Sequence, residues 1–262
     1  VGFFFSCITP SATGGQPAQI YYMRKEKIPI PVSTIVLMIV TITYKAVLVA
    51  VGIFLALFQG DFLRGYLGGV MPVFYLGLGL NVFCVGFMLI LVFHPVLAKR
   101  MMIRGLRLLE RLHLMKKKQE RLEKLEASMD LYNDTAAYLK SHIRIVFEVL
   151  AITFVQRFAL FFVTFFVYRS FGLRGTGVYE IVMLQAVISV AVDMLPLPGG
   201  MGISETLFLS IFEPVFGSLL LPGMVLSRSL SYYTELLLSA LMTVAAHFTL
   251  GREPRRKKEK VQ

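Results

Sequence analysis

Residues 32–58, 70–93, 145–168, 178–195 and 224–250 are apolar almost without interruption, and a shorter, more broken apolar stretch covers 203–221. A run of about 18 or more residues with few charges is long enough to cross the hydrocarbon layer as a helix. In lipid every backbone N–H and C=O must find its partner inside the protein, which leaves only helices and closed barrels as spanning structures. The alternation of apolar and polar residues that barrel strands require is absent, since the runs are continuously apolar. Charged residues make up 16% of the chain, against roughly 25% in soluble domains. The predicted fold class is therefore an all-α polytopic membrane protein.

The segments between the runs differ sharply in charge. Lysine and arginine crowd residues 98–144 and the tail 251–262, with a smaller cluster, "RKEK", at 24–27. The connections 59–69 and 170–177 carry one arginine each, Arg64 and Arg174. The positive-inside rule places the first three segments in the cytoplasm and the other two outside. This alternates correctly across the spans and puts the C-terminus in the cytoplasm. Within 98–144, Leu108, Leu112, Met115, Leu122, Leu125, Met129 and Tyr132 recur at helical spacing, as on one face of an amphipathic helix. Such a helix packs on the protein's own cytoplasmic side or lies on anionic headgroups. Its basic residues alternate with Glu110, Glu120, Glu123 and Glu126, unlike the clean basic stripe of a nucleic-acid site. The chain opens on Val1 inside an apolar run. It is expected to be a single membrane domain, 1–262, whose beginning is missing.

Two stretches break the apolar pattern in the same way. "ITPSATGGQPAQIYYM" spans 8–23 and "MLPLPGGMGISETLFL" spans 194–209. Each holds a proline, a Gly-Gly pair and then a short helical run with an amide or a carboxylate. Gly14 and Gly15 match Gly199 and Gly200, and Gln19 falls within one position of Glu205. Each is followed by a long span with a basic residue in its early part, Lys45 or Arg228. By the charge rule the two copies emerge on opposite sides of the membrane. Inverted repeats of Gly/Pro-interrupted segments are the sequence pattern of alternating-access transporters. A broken helix frees backbone groups that must be buried in protein or face a wet cavity. Half-helix N-termini suit an anionic group such as a lipid phosphate.

These two motifs, together with "LSRSLSYYTELLLSAL" at 226–241, resemble the transmembrane domain of the lysylphosphatidylglycerol synthase/flippase family, with "PGG-x-G-x-x-E" the most specific element. The resemblance covers nearly the whole chain. It implies inverted re-entrant segments and a bacterial inner-membrane protein that moves a phospholipid, such as aminoacylated phosphatidylglycerol, between leaflets. In the family this activity is tied to resistance against cationic peptides. Lysyl transfer belongs to a separate soluble domain that does not follow here, so the resemblance implies the flippase-like half, with no catalytic residues. The alternatives are the membrane part of a lipid-aminoacylating system and a small-anion carrier. Carried over, the motifs mark Pro10, Gly14 and Gly15, then Pro196, Pro198, Gly199, Gly200, Gly202 and Glu205, and Arg228 in the last span. Gln16 stands where many relatives have an acidic residue.

Ionisable residues inside spans are costly and face a cavity or a partner. Glu148, Glu180 and His247 lie near span ends, where they can reach the interface. Lys45, Arg157 and Arg228 lie deeper. Two readings stand for these three: structural ion pairs with Asp193, Glu205 or Glu235, or a polar groove that binds a lipid headgroup. Arg228 and Glu235 are seven apart and share a helix face. "GGMGIS" lacks the glycine spacing of a dinucleotide site and the lysine of a P-loop. The four histidines show no ligand spacing, and Cys7 and Cys84 read as packing residues. No cofactor or metal is expected. The expected partners are a phospholipid and the anionic membrane surface, with a second copy of the chain or a separate lipid-modifying enzyme as further options, and no nucleic acid.

Overall fold

The computed structural model describes residues 1–9, 13–94, 97, 100, 104, 133–138, 141–195 and 197–250, with the side chain of Pro198 excluded. The amphipathic periodicity expected within 98–144, the basic tail, Pro10 and Pro196 lie largely or wholly outside the described residues. Among those residues the chain is helical and contains no strand. Four helical stretches are long and apolar enough to cross a membrane: Ile30–Phe58, Gly60–Phe93, Ile143–Ser170 and Ile203–Thr249. The protein is an all-α polytopic membrane protein.

In chain order the helices are α1 (Gly2–Ile8), α2 (Gly15–Lys25), α3 (Ile30–Phe58), α4 (Gly60–Leu67), α5 (Met71–Phe93), α6 (Ile143–Ser170), α7 (Val178–Val192), α8 (Ile203–Phe216), α9 (Leu220–Arg228) and α10 (Thr234–Thr249). A π-helical turn, Ser229–Tyr233, joins α9 to α10. Prolines sit in the first turns of α3 and α5, where the missing N–H has no helical partner to lose. The segment read from the sequence as an outside loop, 59–69, is instead largely the helix α4. Leu63 and Leu67, one turn apart, are both buried in the core, and this apolar pair holds the short helix against the bundle.

The centre of the molecule is α7, which packs against α3, α5, α6 and α8. Eight of its residues, from Ile181 to Ala191, are buried. From Ile181 to Ala191 the helix is therefore largely covered by protein, while Val178 and Tyr179 at its start are exposed. Gly77 on α5 allows the closest approach, because a Cβ there would overlap the backbone of Val190 and Ala191. Phe208 and Phe212 of α8 stack, Phe216 meets Phe212 edge-on, and Phe216 also meets Tyr168 of α6 edge-on at 5.5 Å. The outer helices present the opposite pattern. Phe147, Val155 and Phe166 on α6, and Leu237, Leu241 and Val244 on α10, are exposed. Apolar surface on this scale is that of a lipid-facing wall.

Both expected breaks are present as helix–break–helix units. The first is α1, a turn, and α2, which pack on each other and then against α3 and α10. The second is α7, the stretch Asp193–Gly202, and α8. In it Gly199, Gly200 and Gly202 all have positive φ, at 59°, 66° and 86°, a region that L side chains avoid and glycine enters freely. Leu197 N–H reaches only to Leu195 O and Gly200 N–H to Leu197 O, so the regular ladder stops here and restarts at α8. α1 packs on this Gly-Gly turn, which brings the first unit onto the second break.

Candidate functional site

Where α1 meets the second break there is a cavity of about 280 Å³. Its walls come from α1 (Phe3, Ser6, Cys7), from Tyr44 of α3, from Arg157 of α6 and from Gln185, Ser189 and Asp193 at the end of α7. Gly199 and Gly200 close one side, and Arg228, Ser231, Tyr232 and Glu235 close another. Arg157, Asp193, Gly199, Gly200 and Arg228, singled out from the sequence, thus share one enclosure.

Asp193 caps the C-terminal end of α7 and is the hub of one network. Its Oδ2 pairs with Lys45 Nζ, and both side chains are about 10% exposed. Tyr44 donates its hydroxyl to the other carboxylate oxygen at 2.7 Å. Lys45 also reaches Asn81 Oδ1 at 3.4 Å. Asn81 is fully buried, and its amide nitrogen donates to Gly77 O at 3.0 Å and Val190 O at 3.3 Å. Asn81 therefore ties α5 to α7 and presents an acceptor to the lysine. A charged pair removed from water needs such additional hydrogen bonds to offset desolvation.

Glu205 is the hub of a second network. One oxygen accepts from Gly202 N–H at 2.6 Å and so caps α8; the other accepts from Arg228 Nε at 2.8 Å. The carboxylate also lies in the first turn, where the helix dipole favours it. The Arg228 guanidinium stacks 4.6 Å from the Tyr232 ring centroid. Arg157 stacks in the same manner on Tyr44, also at 4.6 Å. Among the described residues Arg157 has no ion pair within 4 Å, and its buried Nε has no hydrogen-bond partner. The buried Arg228 Nη2 is likewise unpartnered. Buried donors are ordinarily satisfied, so two guanidinium groups with orphan N–H groups at one cavity form a site suited to an anion.

Of the sequence candidates, Lys45 pairs with Asp193 and Arg228 with Glu205, while Arg157 pairs with neither carboxylate. Gly14, Gly15 and Gln19 do not line the cavity. A Cβ at Gly15 would overlap Ser6, and the Gln19 amide lies over Gly2, so these residues permit the close α1–α2 contact. Gly202 and Glu205 act from behind the wall through Arg228. Tyr44, Asn81, Tyr232 and Glu235 complete the site. The buried asparagine in an apolar span was a legible signal, whereas the two tyrosines looked like any other aromatic of a span.

The family model described as the lysylphosphatidylglycerol synthase TM region matches residues 1–239, which include every residue of the cavity wall. No curated protein and no solved structure matches the chain significantly.

Proposed function

The chain belongs to the lysylphosphatidylglycerol synthase transmembrane-region family, and from that premise we propose that it moves a phospholipid between leaflets, with the headgroup passing through the cavity between α1 and the second break. The observation that carries this reading is the pair of incompletely satisfied guanidinium groups, Arg157 and Arg228, facing one cavity within a membrane bundle. An arginine fork is the group best matched to phosphate oxygens. Glu235 lines the same cavity and, like Arg157, has no ion pair within 4 Å among the described residues. The site thus offers one anion-binding and one cation-binding position. That complement suits a headgroup with both signs: phosphate at the arginines and an amine, as in an aminoacylated phosphatidylglycerol, at Glu235. The cavity is of a size for a headgroup, and the acyl chains would stay along the apolar outer helices.

Two helix–break–helix units that meet at the cavity support an alternating-access movement of one unit against the other. The charge pattern supports a cell-membrane protein with a cytoplasmic C-terminus.

Leaflet-resolved labelling of lipids in proteoliposomes tests the proposal. Folded protein should accelerate exchange of aminoacylated phosphatidylglycerol over empty vesicles. Arg157→Gln should reduce that rate at least tenfold while leaving thermal unfolding nearly unchanged. Rates equal to empty vesicles, with protein shown to be folded, would overturn it. Exchange of neutral-headgroup lipids at the same rate would remove the role given to Glu235.

A further inference from the structure

Arg157 lies about midway along α6, and its near neighbours Ile152, Phe154 and Val155 are exposed. At 1.5 Å per residue it stands roughly 20 Å from either end of the helix, too deep for a side chain to snorkel out to water. Its stem is long and rich in rotamers, so the guanidinium needs a holder to face the cavity it lines. Arg228 is held by a carboxylate, Glu205. Arg157 has no ion pair within 4 Å among the described residues. Its guanidinium lies instead over the face of the Tyr44 ring, 4.6 Å from the centroid.

The two kinds of holder leave different chemistry behind. A carboxylate takes N–H donors of the guanidinium fork and offsets its charge. An aromatic face attracts the cation through its quadrupole and takes no N–H donor. A guanidinium held in this way is fixed in place and still has a charge to offer to a ligand. Tyr44 is itself anchored. Its hydroxyl donates to Asp193 Oδ1 at 2.7 Å, and the other oxygen of that carboxylate pairs with Lys45. Consecutive residues of α3 thus divide two tasks: Lys45 is buried in the ion pair, and Tyr44 lines the cavity. Asp193 stands where α7 ends and the second break begins. A carboxylate on α7, a phenol on α3 and a guanidinium on α6 therefore stand in series, from the break to the cavity.

We propose that Tyr44 is the positioning residue for Arg157, with separate roles for its ring and its hydroxyl. The ring holds the guanidinium where a headgroup phosphate can meet it. The hydroxyl ties that ring to Asp193, so that movement of the second break carries the arginine with it. The inference rests on the lipid-transport reading and deepens it: headgroup affinity depends on the ring, and the coupling of binding to movement depends on the hydroxyl.

The test measures leaflet exchange of aminoacylated phosphatidylglycerol in proteoliposomes over a series of lipid mole fractions. This separates the half-saturating fraction from the maximal rate. Tyr44→Leu should raise the half-saturating fraction about tenfold, the size of a desolvated cation–π contact, and the double variant Tyr44→Leu, Arg157→Gln should be no worse than Arg157→Gln alone, since both changes remove one unit. Tyr44→Phe keeps the ring and loses only the hydroxyl. It should hold the half-saturating fraction within about twofold of wild type while the maximal rate falls about fivefold, a split that a general loss of packing would not produce. A Tyr44→Leu protein with the wild-type half-saturating fraction would overturn the proposal. So would a Tyr44→Phe protein whose half-saturating fraction rises as far as that of Arg157→Gln, and this comparison needs no leucine variant to fold. Wild-type protein that is folded and moves no lipid defeats the transport reading itself and this inference with it, whereas wild-type exchange with either of the two variant results above defeats the role of Tyr44 alone.

Discussion

The two breaks have the same outline and opposite chemistry. The first is closed by a hydroxyl: Thr9 Oγ1 donates to Phe5 O at 2.6 Å and accepts from Gly14 N–H at 2.8 Å. Beyond it, Gln16 donates its amide to Thr41 Oγ1 at 3.0 Å. Every one of these contacts is between neutral groups. The second break is closed by two carboxylates, Asp193 before it and Glu205 after it, and each is tied to a cation on another helix. A hydroxyl satisfies a local turn and no more. A carboxylate satisfies the turn and also reaches across the bundle, so the second break is fastened to α3 and to α9. Among the described residues the two breaks therefore differ in what holds them: neutral hydrogen bonds in the first, paired charge in the second.

The largest effect should come from cutting the most buried of these ties. Asp193→Ala leaves Lys45 without its carboxylate in a nearly closed site, and should cost about 3–5 kcal/mol of stability, read as thermal unfolding in nanodiscs. The double variant Lys45→Met, Asp193→Leu should recover most of the loss, because it removes both charges together. Recovery to wild-type transport as well would show that the pair is structural. Gly199→Ala comes next. The residue has φ 59°, and an added Cβ would overlap the Tyr232 ring, so a loss of about 2 kcal/mol is expected. Glu205→Gln keeps an acceptor for Gly202 N–H but removes the charge that Arg228 faces; it should cost about 1.5 kcal/mol. If it does so with full transport retained, Glu205 anchors Arg228 without further role. The smallest effect belongs to the neutral break: Thr9→Ala should cost about 1 kcal/mol. A Thr9→Ala loss as large as that of Asp193→Ala would erase the contrast between the two breaks.

The spans and both breaks were legible because they rest on local signals, namely apolar runs and Gly-Gly pairs next to proline. That Lys45, Arg157 and Arg228 would meet acidic partners or a cavity was also legible, since an isolated charge in lipid is too costly. Which partner each would take was not, because Lys45 and Asp193 lie 148 residues apart and nothing in either segment names the other. The helix at Gly60–Leu67 escaped notice because eight residues with two glycines between long apolar runs read as a connection, although Leu63 and Leu67 fall one turn apart on its buried face. The π turn at Ser229–Tyr233 was equally hidden: its residues are ordinary, and Tyr232 within it packs against Gly199.

The shortness of α7 has a consequence for permeation. Fifteen residues rise about 22 Å, well under the roughly 30 Å of a hydrocarbon layer, and the helix ends in Asp193 and the polar cavity. A headgroup following this path would not meet one continuous apolar slab. On the lipid-transport proposal, it would leave the apolar stretch at the polar cavity, and the short helix would lower the barrier to flipping.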